Sequence, residues 1–219
     1  MLDLNIIFLE LHNFPDGLKT FGAATSYDWY VAQKNVEKTS TKTWVRFQDG
    51  SLEHIHLKGV EFIPNSRMEE IYSLVAKPGE EKVEVLYSRS AYGTDKKNVS
   101  KEKTGNFIYP VVYTCPGTKE TPRFFWSSRN DLGHFNVPKV VWSNGASKIY
   151  IDDSGEFGLT NFAYGIVDEK ENLPLIKKAF KSKRFISLMK ECSLSSSHRY
   201  NHKVIALFRK DFWKEFIEE

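Results

Sequence analysis

The stretch Gly133–Thr160, GHFNVPKVVWSNGASKIYIDDSGEFGLT, sets the reading of the whole chain. Two apolar bursts, Val140-Val141-Trp142 and Ile149-Tyr150-Ile151, flank the small polar run Ser143-Asn144-Gly145-Ala146-Ser147. A second turn, Asp152-Asp153-Ser154-Gly155, follows at once, and Gly133, Gly145, Gly155 and Gly158 punctuate the segment. Short runs of β-branched and aromatic residues bounded by Gly, Asn, Asp and Ser are the pattern of strands closed by tight turns. The segment therefore reads as two or three short strands with hydrogen-bonding loops at their ends.

Strand patterns continue on both sides. Leu4–Leu11, Phe21–Thr25 and Tyr27–Gln33 read as strands, with a turn at Asn13-Phe14-Pro15-Asp16-Gly17. Lys42–Phe47 and Leu52–Phe62 read as a hairpin around Gln48-Asp49-Gly50. Arg67–Ala76 has apolar residues at 68, 71, 74 and 75, which is helical spacing. Lys77-Pro78-Gly79-Glu80 stops that helix and is the expected division, giving domains 1–78 and 79–219. Beyond it, Lys82–Ser88, Phe107–Thr114, Arg123–Ser127 and Phe162–Val167 read as strands around a polar, basic stretch at 90–106. The period then turns helical over Asn172–Phe180, Phe185–Met189 and Lys210–Ile217. Strands, one helix, many strands and then helices predict an α+β fold.

Composition narrows the class. The chain has 219 residues with 41% hydrophobic and 14% aromatic content, enough to build a core. No apolar run is long enough to span a membrane, and Met1-Leu2-Asp3 lacks the basic start of a secretory signal. Cys115 and Cys192 lie far apart without metal-ligand spacing, so a reduced, cytoplasmic setting is expected. Net charge is +3, unevenly spread: residues 1–76 carry 7 basic and 10 acidic side chains, and residues 88–148 carry 10 basic and 4 acidic. A basic middle beside an acidic start points to a polyanion partner, or simply to a solvated surface.

Catalytic signatures are missing: the sequence contains no G-x-S-x-G, P-loop or G-x-G-x-x-G. His198, Asn201 and His202 suggest an HNH nuclease, but the neighbourhood has no further ligand candidates. His54 and His56 share a strand face without a nearby carboxylate or cysteine. Pro15-Asp16 with Lys19 is a fragment of a nuclease motif without its second acidic strand. Asp152, Asp153 and Glu156 are one turn's worth of carboxylates, read as a hairpin rather than a cation site. DNA reading fits better, since it needs Arg, Lys, Asn and Ser on loops held by a rigid sheet. Arg89, Lys96, Lys97, Lys101, Lys103, Arg129, Asn130, His134, Ser143 and Asn144 are the candidate DNA-binding residues. Lys96, Lys97, Lys101 and Lys103 are assigned to phosphates, and Arg89, Arg129, Asn130, His134 and Asn144 to bases.

Five segments together resemble the C-terminal part of adenine-N6-specific DNA methyltransferases of type II restriction–modification systems. They are DGLKTFGAATSYDWYVAQKN (16–35), VEVLYSRSAYGTDKKNVSKEKTGNFIYPVVYT (83–114), GHFNVPKVVWSNG (133–145), IDDSGEFGLTNFAYGI (151–166) and KDFWKEF (210–216). The resemblance implies that residues 1 to about 64 are the last strands of a methyltransferase sheet, and that residues from about 80 onward form a target-recognition domain. It also implies that the loops 143–147 and 152–155 belong to the DNA-reading scaffold. The family's Pro-Pro catalytic tetrapeptide, which holds the flipped adenine, has no counterpart, because no two prolines are adjacent here. The Gly-rich methyl-donor loop is missing too. The chain is thus expected to be non-catalytic alone, as a split-gene product or an excised fragment, and no catalytic or donor-binding residue carries over. The expected partners are double-stranded DNA and a catalytic methyltransferase polypeptide or domain. S-adenosylmethionine would serve the complete enzyme, with no cofactor in this chain. Alternatives are a restriction endonuclease or fusion fragment, and an interaction protein using the apolar edge of 1–64. Leu4, Ile6, Ile7 and Leu9, on strands whose family neighbours are absent, are expected to leave such an edge and to drive self-association or a stabilising complex with a catalytic chain.

Overall fold

The structure is a computed structural model that describes residues 4–34, 42–143, 148–193 and 200–217. It is an α+β fold, and the chain divides into two compact units, residues 1–71 and 72–219.

In the first unit, β1 (Leu4–His12), α1 (Phe14–Phe21), β2 (Tyr27–Lys34), β3 (Thr43–Arg46), β4 (Leu52–Ile55) and α2 (Met68–Tyr72) follow in order. The four strands form one sheet in the order β2-β1-β3-β4. β1 pairs antiparallel with β2 along its length and parallel with β3 at Phe8–Glu10, so Leu9 lies between two strands and not on an unpaired edge, while Leu4, Ile6 and Ile7 precede the β3 pairing. The expected turn at 13–17 is instead the start of a helix. Asn13 accepts the Asp16 amide at 3.1 Å, Asp16 accepts the Asn13 amide at 3.1 Å, and Pro15 sits in the first turn where its missing N–H costs nothing. That helix runs through Phe21 and ends at Gly22 in the left-handed conformation, which removes the strand expected at 21–25. One face of the sheet buries Leu9, Leu11, Val45 and Phe47. On the other face Phe8 stacks on Trp29 and Trp44 on His54, with Trp29 and Trp44 still 42% and 44% exposed.

The second unit continues with β5 (Glu84–Leu86), α3 (Arg89–Tyr92), β6 (Val99–Ser100), β7 (Tyr109–Thr114), β8 (Arg123–Ser127), β9 (Lys139–Ser143), β10 (Tyr150–Asp152), β11 (Gly158–Leu159) and β12 (Ala163–Val167). Then come α4 (Leu173–Lys181), α5 (Lys183–Glu191), α6 (His202–Ile205) and a 3₁₀ turn at Phe212–Phe216, where a longer helix was expected. Two four-stranded sheets result, ordered β10-β9-β12-β5 and β11-β7-β8-β6. They share one apolar cluster of Val112, Cys115, Val141, Tyr150, Leu159 and Ala163.

The stretch 133–160 is what joins the two sheets. β9 is central to the first and buried at every position. Val141 belongs to the shared cluster, while its neighbour Trp142 points the opposite way, as strand alternation requires, and packs on Phe180 of α4 at 5.3 Å. β10 returns beside β9, and β11 crosses to pair parallel with β7. The crossing is tight enough to demand glycine. A Cβ on Gly155 (φ +73°) would lie 2.3 Å from the Val137 amide, and one on Gly158 would lie 2.6 Å from Val111.

The α4–α5 pair supplies the outer apolar layer. Leu173, Ile176, Ala179 and Phe180 fall on one face of α4 and are buried, and Ser182 caps α5 by accepting the Phe185 amide at 3.1 Å. The turn at Lys77–Glu80 lies inside this unit. On its two sides Val75 bridges Phe208 and Lys82 bridges Arg209, so residues 72–83 belong with the C-terminal segment. Among the described residues, no helix is long and apolar enough to cross a membrane.

Candidate nucleic-acid interface

Three adjoining segments of the second unit gather most of the candidate DNA-binding residues. Ser88 caps α3 by accepting the Ala91 amide at 3.3 Å, which places Arg89 at the exposed start of that helix. Tyr92, fully buried at the other end, accepts the Leu132 amide at 3.0 Å and packs edgewise on Phe135. Burial, first, raises the Tyr92 pKa, so the phenol stays neutral as an anchor. The following turn is held by Thr94, whose amide and hydroxyl both donate to Asn161. The Asn98 side chain donates to the Ala91 carbonyl, and the Asn98 carbonyl accepts the Ser128 amide at 3.0 Å. β6 then pairs with β8, Val99 opposite Ser127. The segments 89–92, 94–103 and 127–132 are thereby tied into one surface.

Lys97, Lys101, Lys103, Arg129 and Asn130 are exposed on these segments, and Lys96 is half-buried. Lys103 lies over the Trp126 ring, 4.7 Å from its centroid. Arg89 is 3.8 Å from Asp95, with both side chains in solvent. Arg129 forks onto Asp131, Nε to Oδ1 at 2.9 Å and one terminal nitrogen to Oδ2 at 2.8 Å. The Asp131 hydrogen bond raises the Arg129 pKa, and the Arg129 hydrogen bond lowers that of Asp131, so both remain charged. This side-on fork fixes the guanidinium plane while leaving its terminal N–H pair as donors, the geometry guanine O6 and N7 accept. Asp131 is the residue of this group that the sequence pattern leaves out, and the Arg-x-Asp spacing was the available signal for it.

Two candidates are corrected. His134 is 2% exposed, and its Nδ1 accepts the Leu159 amide at 3.2 Å. Burial, and then the neighbouring Lys139 charge, push its pKa down to about 4, so it is a neutral core residue. Ser143 is 3% exposed and its Oγ accepts the Cys115 amide at 2.8 Å. In the fold both side chains join the layers and are not presented on a loop surface. Asn144, and with it most of the loop 143–147, lies outside the described residues. Lys139, one of the basic residues of the middle region, is wholly buried and donates to Asp152 Oδ2 at 2.6 Å and to the carbonyls of His134 and Val137.

The other motifs resolve into local structure. Asp152 also accepts the amides of Glu156 and Phe157, which makes it the pivot of its turn. Asp16 is half of the α1 capping box. Asn201 caps α6 and His202 stacks on Tyr164 at 4.2 Å, while His198 lies outside the described residues. Among the described residues no three His, Cys, Asp or Glu side chains gather closely enough to hold a metal ion. Burial drives the thiols of Cys115 and Cys192 up to about 12, which leaves both inert as nucleophiles. Compared with known proteins, the chain matches no family model and no curated protein.

Proposed function

We propose that the chain is the sequence-recognition portion of a type II restriction–modification adenine-N6 DNA methyltransferase, and that residues 89–103 and 127–132 face duplex DNA. The observation that carries this reading is the convergence of Arg89, Lys96, Lys97, Lys101, Lys103, Arg129 and Asn130 on three tied segments. Exposed lysines bind phosphates without reading sequence, whereas an oriented arginine beside an asparagine supplies directional donors to base edges. The methyltransferase part rests on the resemblance of segments 16–35, 83–114, 133–145, 151–166 and 210–216. In this reading methyl transfer, with S-adenosylmethionine, is performed by a catalytic polypeptide or domain outside these residues, in the cytoplasm.

The test is duplex binding by the chain, alone and with a catalytic methyltransferase polypeptide, after selection of a preferred site from a random library. Lys101→Ala is expected to weaken binding to all sequences alike and to lower the salt slope by about 0.9 unit. Arg129→Ala is expected to cost about 1–3 kcal/mol on the preferred site and little elsewhere. Unchanged affinity, salt slope and site preference in both variants would refute the assignment. Metal-dependent cleavage of the duplex would move the chain to the nuclease class.

A further inference from the structure

The outer strands of the second unit's two sheets are β10, β5, β11 and β6, each two or three residues long, and β4 in the first unit has four. Short edges are one of the ways proteins avoid pairing with other chains. β2 departs from this pattern. It is an edge strand of eight residues, Tyr27–Lys34. Its inner side pairs with β1 from Leu4↔Lys34 to His12↔Tyr27. Among the described residues, no strand occupies its outer side. It contains no proline, and the register shift of the pair falls at Ile7 of β1, so β2 itself carries no bulge. Trp29, Tyr30 and Val31 are 42%, 60% and 45% exposed.

Charge then selects a partner. A two-fold axis perpendicular to the sheet keeps the faces of paired strands aligned only when residues an even number of positions apart stand opposite each other. Asp28 and Lys34 are the only charged residues of β2, and they lie on the same face. One such register, centred on Val31, brings them opposite each other. It also sets Val31 against Val31, Tyr30 against Ala32 and Trp29 against Gln33.

We propose that β2 is a homodimerisation edge: two copies pair their β2 strands antiparallel about Val31, with Asp28 of each facing the partner's Lys34. The two four-stranded sheets become one continuous sheet. The occupant is a second copy because the complementarity is internal to the strand, and it appears twice by symmetry. This inference does not depend on the DNA reading, and its test uses no DNA.

The experiment is sedimentation velocity of the full chain from nanomolar to near-millimolar concentration, with far-ultraviolet circular dichroism as the control for folding. A concentration-dependent monomer–dimer equilibrium is expected. Asp28→Lys and Lys34→Asp each put like charges opposite one another twice, and each is expected to weaken dimerisation about tenfold or more. The double variant Asp28→Lys/Lys34→Asp restores both pairs and is expected to return the dimer to within about twofold of the parent. Independently, Val31→Cys is expected to give a symmetric disulfide dimer under mild oxidation, since Cys115 and Cys192 are buried. A chain that stays monomeric throughout, a dimer indifferent to the single variants, or a double variant that does not recover would each overturn the proposal. So would capture of the β2 edge by a catalytic methyltransferase polypeptide in place of a second copy.

Discussion

Replacing Lys139 with methionine is expected to destabilise the second unit by about 3–5 kcal/mol while leaving the first unit untouched. The magnitude follows from the surroundings of the ammonium. Lys139 and Asp152 side chains are 0% and 1% exposed, and Nζ has three oxygen acceptors at 2.6, 3.0 and 3.1 Å. Methionine keeps the volume but removes the charge and every donor. Asp152 keeps two backbone amides yet loses its counter-ion, and the carbonyls of His134 and Val137, buried and part-buried, lose a donor. The double variant Lys139→Met/Asp152→Asn removes both charges, so it is expected to cost less than the sum of the single changes by about 2 kcal/mol. Urea unfolding followed by amide hydrogen exchange assigns the loss to a unit, with the amides of the buried, paired strands β9 and β12 as reporters. A loss below about 1 kcal/mol for Lys139→Met, or strict additivity in the double variant, would refute the argument that the pair holds the two sheets' connection.

His134 makes the same region acid-sensitive. Its folded-state pKa is about 4 against an ordinary 6.5, so between those values the unfolded chain binds the extra proton. The His134 contribution therefore falls as pH falls through that window, by at most about 3 kcal/mol. His134→Asn is expected to flatten the slope in a stability–pH profile, and an unchanged slope would disprove the assignment. Gly155→Ala, with a left-handed φ and a Cβ 2.3 Å from backbone, is expected to cost at least about 2 kcal/mol in thermal or urea unfolding of the second unit. Asn13→Ala opens the α1 capping box and is expected to cost about 1 kcal/mol, read as faster amide exchange in the first unit.

Much of this architecture is legible in the amino-acid order alone. The α+β class, the paired runs 43–46 and 52–55, the strands at 109–114 and 123–127 and the apolar faces of α4 and α5 follow from periodicity and turn residues, which act over a few neighbours. The α1 helix was legible too, through Asn13, Pro15 and Asp16, although a Pro-Asp-Gly run also reads as a turn. The basic bias of 88–148 was visible as charge, and Lys97, Lys101 and Lys103 are exposed within it. The rest required partners distant in sequence. β1 became an interior strand because Thr43–Arg46 folds alongside it. Lys139 and His134, indistinguishable by residue type from DNA contacts, became core because Asp152 and Leu159 return to meet them. A local pattern states which side chains can be buried or charged. Whether a given ammonium meets water or a carboxylate depends on which strand the fold lays beside it, and that is set by the packing of the whole unit.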